Sequence, residues 1–403
     1  MVPKFLRRKF AGVQQPLGRW ILRHVAEFIV LSPAILVTWL WLKLRRKEVL
    51  IVGQFSNNIS NYVSMIEPEL RRRLRDKSDL KRVIVLNLSV DPNIALRFMY
   101  DKIVKIFGEE RRIQRRVLWW ASLFGLTFRI PSQMFSDVGW KKNFPSVSLS
   151  KSTREKGAEL LKKLEVARDQ QVVCYATRSD SYYQAQRLHF VQKSQKIRNP
   201  NEDVYFDVGR YLFENGFRVF RMGKFITNSI RSDVIGIVDY ATRFQSDDLD
   251  LFLLYHCKFL LNGATGIFWL RSLFGKQSVH SDIYDLRTTF FLGDLTLLQK
   301  VYLERENRFA TFKEMLLMPG YSEEKHQERL GVRLIKNTVE EIKAVCDEMN
   351  ARIDGTWVTT EEDEELQRRY QELIVKYSNK PEWNGGGRIG AQFLRENQDL
   401  LRE

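Results

Sequence analysis

The chain has 403 residues, is 44% hydrophobic and 28% charged, and carries a formal net charge of +16. Those proportions belong to a folded protein with room for two domains, and they exclude a disordered chain. The charge is uneven: residues 1–47 hold ten Lys and Arg against the single acid Glu27, whereas residues 340–403 are net acidic. Such polarity suits an anionic membrane surface at the N-terminal end. Neither a zinc ribbon, an RNA-binding signature nor a basic zipper is present, so nucleic acid is not an expected partner.

A basic lead (Lys4, Arg7, Arg8, Lys9, Arg19, Arg23) runs into the apolar stretch FIVLSPAILVTWLWL, residues 28–42, and then into Lys43, Arg45, Arg46 and Lys47. As a straight helix those residues reach only ~22 Å, short of the roughly 30 Å hydrocarbon core. Starting at Trp20 supplies the length but draws in Arg23, His24 and Glu27. Pro33, in the middle, removes a helix hydrogen bond and favours a kink. Positive charge on both flanks places both ends on the cytoplasmic side. The expectation is a kinked anchor dipping into one leaflet, with Phe28 and Pro33 in its apolar part and Trp39 and Trp41 at the interface. A spanning helix and a buried helix of a soluble domain are the other readings.

From Glu48 the globular part begins. EVLIVGQ reads as a strand ending at Gly53, residues 56–74 as a loop and helix, RVIVLNL (82–88) as a second buried strand and ALRFMYDKIVKIF (95–107) as a second helix. Alternating buried strands and helices predict a parallel sheet that binds ligands at the C-terminal ends of its strands. Asn57 and Asn58, just past the first strand, then lie on the binding edge, or serve as turn residues only. Further on, four arginines precede Val117, Leu118, Trp119 and Trp120. This is either a core helix with a solvated basic lead or a second lipid-facing contact.

Proline and serines in FPSVSLSKSTREKG (144–157), followed by a helix start at Ser152, mark a boundary between a first domain over 48–150 and a second over 151–330. Residues 331–403 read as a helical region packing back on both. The second domain opens with a strand over 171–176, whose end places Arg178, Asp180 and Tyr182 in the following loop. A helix over 204–215 leads to the strand FRVFRMG, which ends on Arg221 and Gly223, with Lys224 next. Ser246, Asp247 and Asp248 form a helix start, with a capping oxygen and acids at the positive end of the dipole. A short strand over 258–261 then gives way to the turn Asn262, Gly263, Ala264, Thr265 and Gly266 and to a helix over 267–274. Small residues there let a ligand approach the backbone, and the free N–H groups of the new helix offer a phosphate seat. The turn lacks the spacing of a dinucleotide fingerprint or a P-loop, and glycine sterics alone could explain it. Arg178, Arg221, Lys224 and the turn all follow strands, and strand ends in a parallel sheet share one edge. Cations beside a helix start on that edge predict a diphosphate pocket.

The order VVCYATRSDSYY, RNPNEDVYFDVGRYLFENGFRVFRMGK and DYATRFQSDDLDLFLLYHCKFLLNGATGIFWLRSLFGKQSV resembles a family of bacterial glycosyltransferases. The likeness runs from about Glu48 to the C-terminus and is densest between residues 170 and 315. It implies an α/β protein of two Rossmann-like domains, the GT-B architecture, here preceded by an N-terminal hydrophobic membrane-anchoring helix. It implies acceptor in the first domain and nucleotide-sugar in the second. More distantly the chain is similar to fucosyltransferase-type enzymes, whose second domain opens with a strand ending in a phosphate-binding arginine, the place Arg178 holds. Ala264 and Thr265 stand where the family usually has Ser-type residues, and Lys276-Gln277 replace its proline after Gly275.

A nucleotide-sugar releases a diphosphate whose charge grows in the transition state, and GT-A enzymes offset it with a metal on an Asp-x-Asp. Asp248-Leu249-Asp250 has that spelling, but at a helix start its two acids do not face each other, so it reads as capping chemistry. With five histidines, none paired at ligand spacing, and three cysteines that read as buried thiols (Cys174, Cys257, Cys346), no metal or other cofactor is expected. Fixed positive charge from Arg178, Arg221 and Lys224 would do the work instead. Asp180 is the candidate base for the acceptor hydroxyl, or else a brace for Arg178. The expected partners are a nucleotide-sugar donor, a lipid-linked or polysaccharide acceptor and an anionic membrane, at the cytoplasmic face of the bacterial inner membrane. A rival from another class is a non-catalytic scaffold that keeps the fold and binds a nucleotide or glycan.

Overall fold

The computed structural model describes residues 17–52, 58–124, 128–129, 147–185, 199–230, 236–288, 290–321, 324–378 and 386–403. Asn57 and the basic lead before Leu17 lie outside the described residues.

The first helix, α1 (Leu17–Leu44), runs 28 residues with Pro33 inside it. Next comes a four-stranded parallel sheet of β1 (Glu48–Val52), β2 (Val83–Asn87), β3 (Lys105–Phe107) and β4 (Phe128–Arg129) in the order β3-β2-β1-β4. Its helices are α2 (Ile59–Arg75), α3 (Ile94–Asp101) and α4 (Arg112–Ser122). The residues 105–107, expected to continue a helix, are instead strand β3. The side chain of Asp101 accepts the Ile106 N–H at 2.9 Å, closing the turn that ends α3 and starts the strand. The β-branched pair Ile103-Val104 in between lowers helix propensity further.

The second sheet has seven strands, all parallel. Along the chain lie α5 (Lys151–Lys163), β5 (Val172–Thr177), α6 (Asp180–Ala185), α7 (Glu202–Glu214), β6 (Arg218–Met222), β7 (Ile237–Val238), α8 (Tyr240–Arg243), α9 (Asp247–His256), β8 (Leu260–Gly263), α10 (Phe268–Ser272), β9 (Ser278–Ile283) and β10 (Leu295–Leu298). A small antiparallel sheet of β11 (Lys300–Leu303), β12 (Arg308–Phe309) and β13 (Val332–Ile335) follows, with α11 (Phe312–Leu317) and α12 (Glu324–Leu330). Helices α13 (Val339–Asp354) and α14 (Glu361–Tyr377), strand β14 (Arg388–Ile389) and α15 (Ala391–Glu396) complete the chain. The tail is therefore not only helical: β14 joins β10 and forms the edge of the large sheet.

Strand order in the large sheet is β14-β10-β9-β8-β5-β6-β7. Read without its edge strand β14, that is the doubly wound order, which reverses direction between β5 and β8. In the small parallel sheet the reversal falls between β1 and β4. Two Rossmann-like sheets of this kind, one after the other in the chain, make up the GT-B architecture. The central strands β2 and β5 are buried along their whole length and read as apolar runs with no alternation, whereas β9 is as buried but polar at Ser278, His280, Ser281 and Asp282.

Contacts between the two halves are specific. On α2, Glu67 and Arg71 form a fully buried ion pair at 2.7 Å, and Tyr100 donates to Glu67 at 3.0 Å. From there Arg71 donates to the carbonyls of Ser272 and Leu273, both at 3.0 Å, at the end of α10. A buried arginine needs such partners, and these lie in the other half of the molecule.

Helix α1 docks on α4. Ile35 and Leu42 are buried in a small core with Val49, Ile84, Leu86, Val117, Leu118 and Ala121. Phe28 packs on Trp120 with ring centres 5.1 Å apart, the Trp39 indole donates to the Phe124 carbonyl at 2.8 Å, and Glu27 pairs with Arg116 at 2.9 Å. Trp119 and Trp120 are half-buried, Trp120 against Phe28 of α1 and Trp119 edge-on to Trp120 with ring centres 4.7 Å apart. What stands exposed is the opposite face of α1, including Ile29, Val30, Leu36, Val37, Leu40 and Trp41, together with Ile113, Leu123 and Phe124.

Candidate active site

A cleft opens at the switch point of the large sheet. It is lined by Thr177, Arg178, Ser179 and Tyr182 after β5, by Gly223, Lys224 and Ile226 after β6, and by Thr265, Gly266 and Ile267 after β8. Asn58, Ile59, Pro92 and Asn93 from the first sheet's half form the facing wall, and Asp250 on α9 completes it. The unfilled space is about 770 Å³, including part that is open to solvent.

The turn after β8 is held by a chain of buried polar groups. Asp294 accepts from the Ser278 N–H at 2.7 Å and stands 3.1 Å from His280 Nε2. His280 Nδ1 faces the Asn262 amide nitrogen at 3.1 Å, and Asn262 Oδ1 accepts the Thr265 hydroxyl at 2.8 Å. For the Asn262 amide to donate, Nδ1 must accept, so Nε2 carries the hydrogen and gives it to Asp294. Phe290 stacks on the imidazole with ring centres 3.6 Å apart and fixes its plane. Backbone geometry is equally constrained. Ala264 sits at φ +52°, a left-handed conformation that costs a residue with a side chain about 1 kcal/mol or more. A Cβ on Gly263 would fall 2.6 Å from the Tyr205 hydroxyl. One on Gly266 would lie 3.0 Å from the Cβ of Ser60, so glycine lets the two walls approach.

Not every expected site residue reaches the cleft. Arg178 does, buried at the end of β5, and Tyr182 stands beside it with its ring 6.0 Å from Phe225. Lys224 lines the cleft too, yet its ammonium is taken up by the Asp247 carboxylate at 2.7 Å and the Pro92 carbonyl at 2.9 Å. Arg221 lies outside the lining: it is buried against Asp239 at 3.3 Å and Glu202 at 3.4 Å, and donates to the Asn228 carbonyl at 2.8 Å. Asp180 begins α6 outside the lining, where it accepts from Asn199 at 3.0 Å. Asn58 caps α2 with its side chain, accepting from Ser60, and so combines a structural role with its place on the wall. The phosphate seat expected at a full helix start is α10, a helix of five residues, so its dipole contribution is small.

Asp250 is the acidic residue of the lining, and the sequence does not point to it as one. Its spelling matches the capping acids of α9, but Ser246 caps that helix and Asp248 turns away to Thr153 at 2.9 Å and Lys156 at 2.8 Å. Asp250 faces inward and accepts from the Tyr240 hydroxyl and the Gln245 amide, both at 2.8 Å. Burial drives its carboxyl up to about 7 against those hydrogen bonds. Among the described residues there is no cluster of three or more His, Cys, Asp or Glu arranged to hold a metal ion. All three cysteines are buried and free.

No family model matches the chain, and no curated protein matches it. Solved structures do. ADP-heptose LPS heptosyltransferase II of E. coli superposes with a TM-score of 0.40 at 10% identity, over 58% of this chain and 84% of that one. The glycosyl transferase family 9 protein of Veillonella parvula gives 0.32 at 11%, over 62% and 86%. TibC, an iron-containing dodecameric glycosyltransferase of enterotoxigenic E. coli, gives 0.34 at 15%, over 59% and 62%. Superposition is loose in all three cases, and none of the three is a fucosyltransferase-type enzyme, the distant likeness expected from Arg178.

Asn262 holds the turn through one buried and one part-buried contact, so Asn262→Ala strands both the His280 nitrogen and the Thr265 hydroxyl. The expected cost is about 2 kcal/mol, read as a lower urea midpoint with an unchanged slope. A variant as stable as wild type would show that the relay does not hold the turn.

Proposed function

We propose that the chain is a glycosyltransferase that moves a sugar from a nucleotide-diphosphate donor to a lipid-linked glycan or cell-envelope polysaccharide, without a metal, at the cytoplasmic face of the bacterial inner membrane. The observation that supports this most is the cleft itself. It combines the switch point of one Rossmann-like sheet with a facing wall from the other, and buries Arg178 after β5, the strand paired with β8, which leads into the Thr265–Gly266 turn. In that place the guanidinium is a fixed donor for the negative charge that grows on the leaving diphosphate. The Thr265 hydroxyl and the backbone at Gly266 complete the cradle, and acceptor would enter from the side of Asn58 and Asn93.

The alternative, a non-catalytic nucleotide- or glycan-binding scaffold at the membrane, draws support from one specific feature. Two of the three expected cations are neutralised by acids, Lys224 by Asp247 and Arg221 by Asp239 and Glu202. Turnover separates the two readings. With EDTA present throughout, wild type is expected to hydrolyse or transfer from a nucleotide-sugar, and Arg178→Ala to be slower by a factor on the order of 100 or more. Unchanged turnover in the variant removes Arg178 from the site; no turnover by wild type favours the scaffold.

Membrane attachment rests on α1. Its segment His24–Leu44 is 21 residues long with a mean hydropathy of 1.9, long and apolar enough to cross a bilayer, and it is the only such helix among the described residues. Lys43 and Lys47 stack over Trp39 and Trp41 at its end, 4.4 and 5.7 Å from the ring centres, as basic and aromatic groups do at a lipid interface. Ile35 and Leu42 belong to the core, so the test must leave them in place. Val30→Asp with Val37→Asp puts two charges on the exposed face, each costing about 2.5–3.5 kcal/mol at apolar depth. Binding to vesicles with anionic lipid is expected to fall at least a hundredfold while the fold persists. Full binding by the double variant would contradict a lipid-facing α1.

A further inference from the structure

Resting on the donor reading of the cleft, we propose that the rings of Phe225 and Tyr182 form a ledge on which the base of the bound nucleotide-sugar stacks. The donor then lies across the sheet edge, with its base after β6 and its diphosphate after β5 and β8.

Phe225 is held in a place that its own preferences do not explain. It follows β6 at φ +61°, in the left-handed region that a bulky residue rarely enters and that glycine occupies freely. The residue is 43% exposed, so apolar burial compensates only part of that strain. Its neighbours on both sides impose the conformation. Before it, Lys224 is anchored by the Asp247 carboxylate at 2.7 Å and the Pro92 carbonyl at 2.9 Å. After it, Arg221 donates to the Asn228 carbonyl at 2.8 Å, and the Ile230 N–H donates to Asp239 at 3.0 Å. Between these clasps Ile226 turns inward: it lines the cleft, and a Cβ on Gly223 would fall 2.6 Å from its Cγ1. Phe225 is left at the surface. Arg221, which does not reach the cleft, thereby shapes its rim.

Two lining residues locate the ring. Tyr182 stands with its ring centre 6.0 Å from that of Phe225 and the planes inclined by 46°, and the Lys224 ammonium lies 5.8 Å from the Phe225 ring centre. The two rings are too close and too inclined to sandwich a planar base, so the base rests on their solvent side. Any base can stack on an aromatic face, since each has a π-face of its own. The spacing agrees with this arrangement. Strands β8, β5 and β6 are consecutive neighbours, so the Thr265–Gly266 turn and Phe225 lie two strand spacings apart, about 10 Å, with Arg178 between them. An extended nucleoside diphosphate bridges a gap of that order. Lipid is the other chemistry that an exposed phenylalanine suits. The long exposed apolar face of the chain, however, lies on α1, packed on the first sheet's half, whereas Phe225 stands beside a lysine of the cleft.

Binding of ADP, UDP, GDP and inorganic pyrophosphate to the full chain would be measured by calorimetry for wild type, Phe225→Ala, Phe225→Tyr and Phe225→Gly. Whichever nucleotide wild type binds is expected to bind Phe225→Ala about tenfold more weakly, the scale of base–aromatic stacking. Pyrophosphate, which has no base, is expected to bind both alike. Phe225→Tyr keeps the aromatic face and should restore wild-type affinity. Phe225→Gly separates the ledge from a role in stability. Glycine accepts the left-handed backbone that alanine resists, so its urea midpoint should match or exceed that of Phe225→Ala while nucleotide binding stays as weak.

Nucleotide affinity unchanged in Phe225→Ala, or lowered in equal measure with pyrophosphate, overturns the ledge and leaves the donor reading in place. A wild type that binds neither nucleotide nor pyrophosphate removes the donor reading and the ledge with it. Weaker binding of Phe225→Ala to vesicles with anionic lipid, with nucleotide affinity intact, assigns the ring to the membrane and also overturns the proposal.

Discussion

The cleft depends on one carboxylate, that of Asp247. One oxygen accepts from Lys224 at 2.7 Å and the other from the Ile94 N–H at 2.6 Å, while the Asp247 carbonyl accepts from Asn93 at 3.1 Å. Lys224 in turn donates to the Pro92 carbonyl at 2.9 Å. Four hydrogen bonds therefore meet where α9, the end of β6 and the loop before α3 converge, and three of them involve a charge. Hydrogen bonds to charged groups contribute roughly 1.5–3 kcal/mol each net of exchange with water, and these contribute less where the partners keep some exposure, as Lys224 and Asp247 do. They fix the distance between the walls, and with Arg71 on the Ser272 and Leu273 carbonyls they make the two sheets one unit around the cleft. The same ion pair engages Lys224, which with Arg178 is one of the two cations that line the cleft among the described residues.

Much of the fold is legible because its signals are local. Apolar runs such as Val83–Leu86 and Val172–Ala176 announce strands, and Ser246 with Asp247 announces α9 by capping chemistry alone. The short strands are less legible: β3 has three residues and β4 two, too few for a period to show. Strand β9 and the edge strand β14 are strands because of what they pair with, and no local pattern carries that information.

The site divides in the same way. A residue after a strand is on one edge of the sheet by topology, and this brings Arg178, Tyr182, Lys224, Thr265 and Gly266 to one cleft, while Asn262, Gly263 and Ala264 lie outside its lining. Position along the chain does not reveal which way a side chain turns. Arg221 lies one residue before the end of β6 and points to Asp239 on the far side of the cleft wall. Asp248 and Asp250 are two residues apart on one helix and so face differently, one to Lys156 and one to the cleft. The Asp294–His280–Asn262–Thr265 relay spans residues 262–294 and exists only once β8 and β9 lie side by side.

The most direct test of the account is a structure of the full chain with a bound nucleotide-sugar. The account predicts both phosphates between the Arg178 guanidinium and the Thr265–Gly266 turn, with Asp250 within hydrogen-bond reach of the ligand or of a water on it. A second cavity, beyond β9, is lined by Tyr284, Arg287, Met315, Tyr321 and Tyr377. Phosphates found there, or anywhere away from Arg178, would contradict the assignment of the switch-point cleft as the donor site.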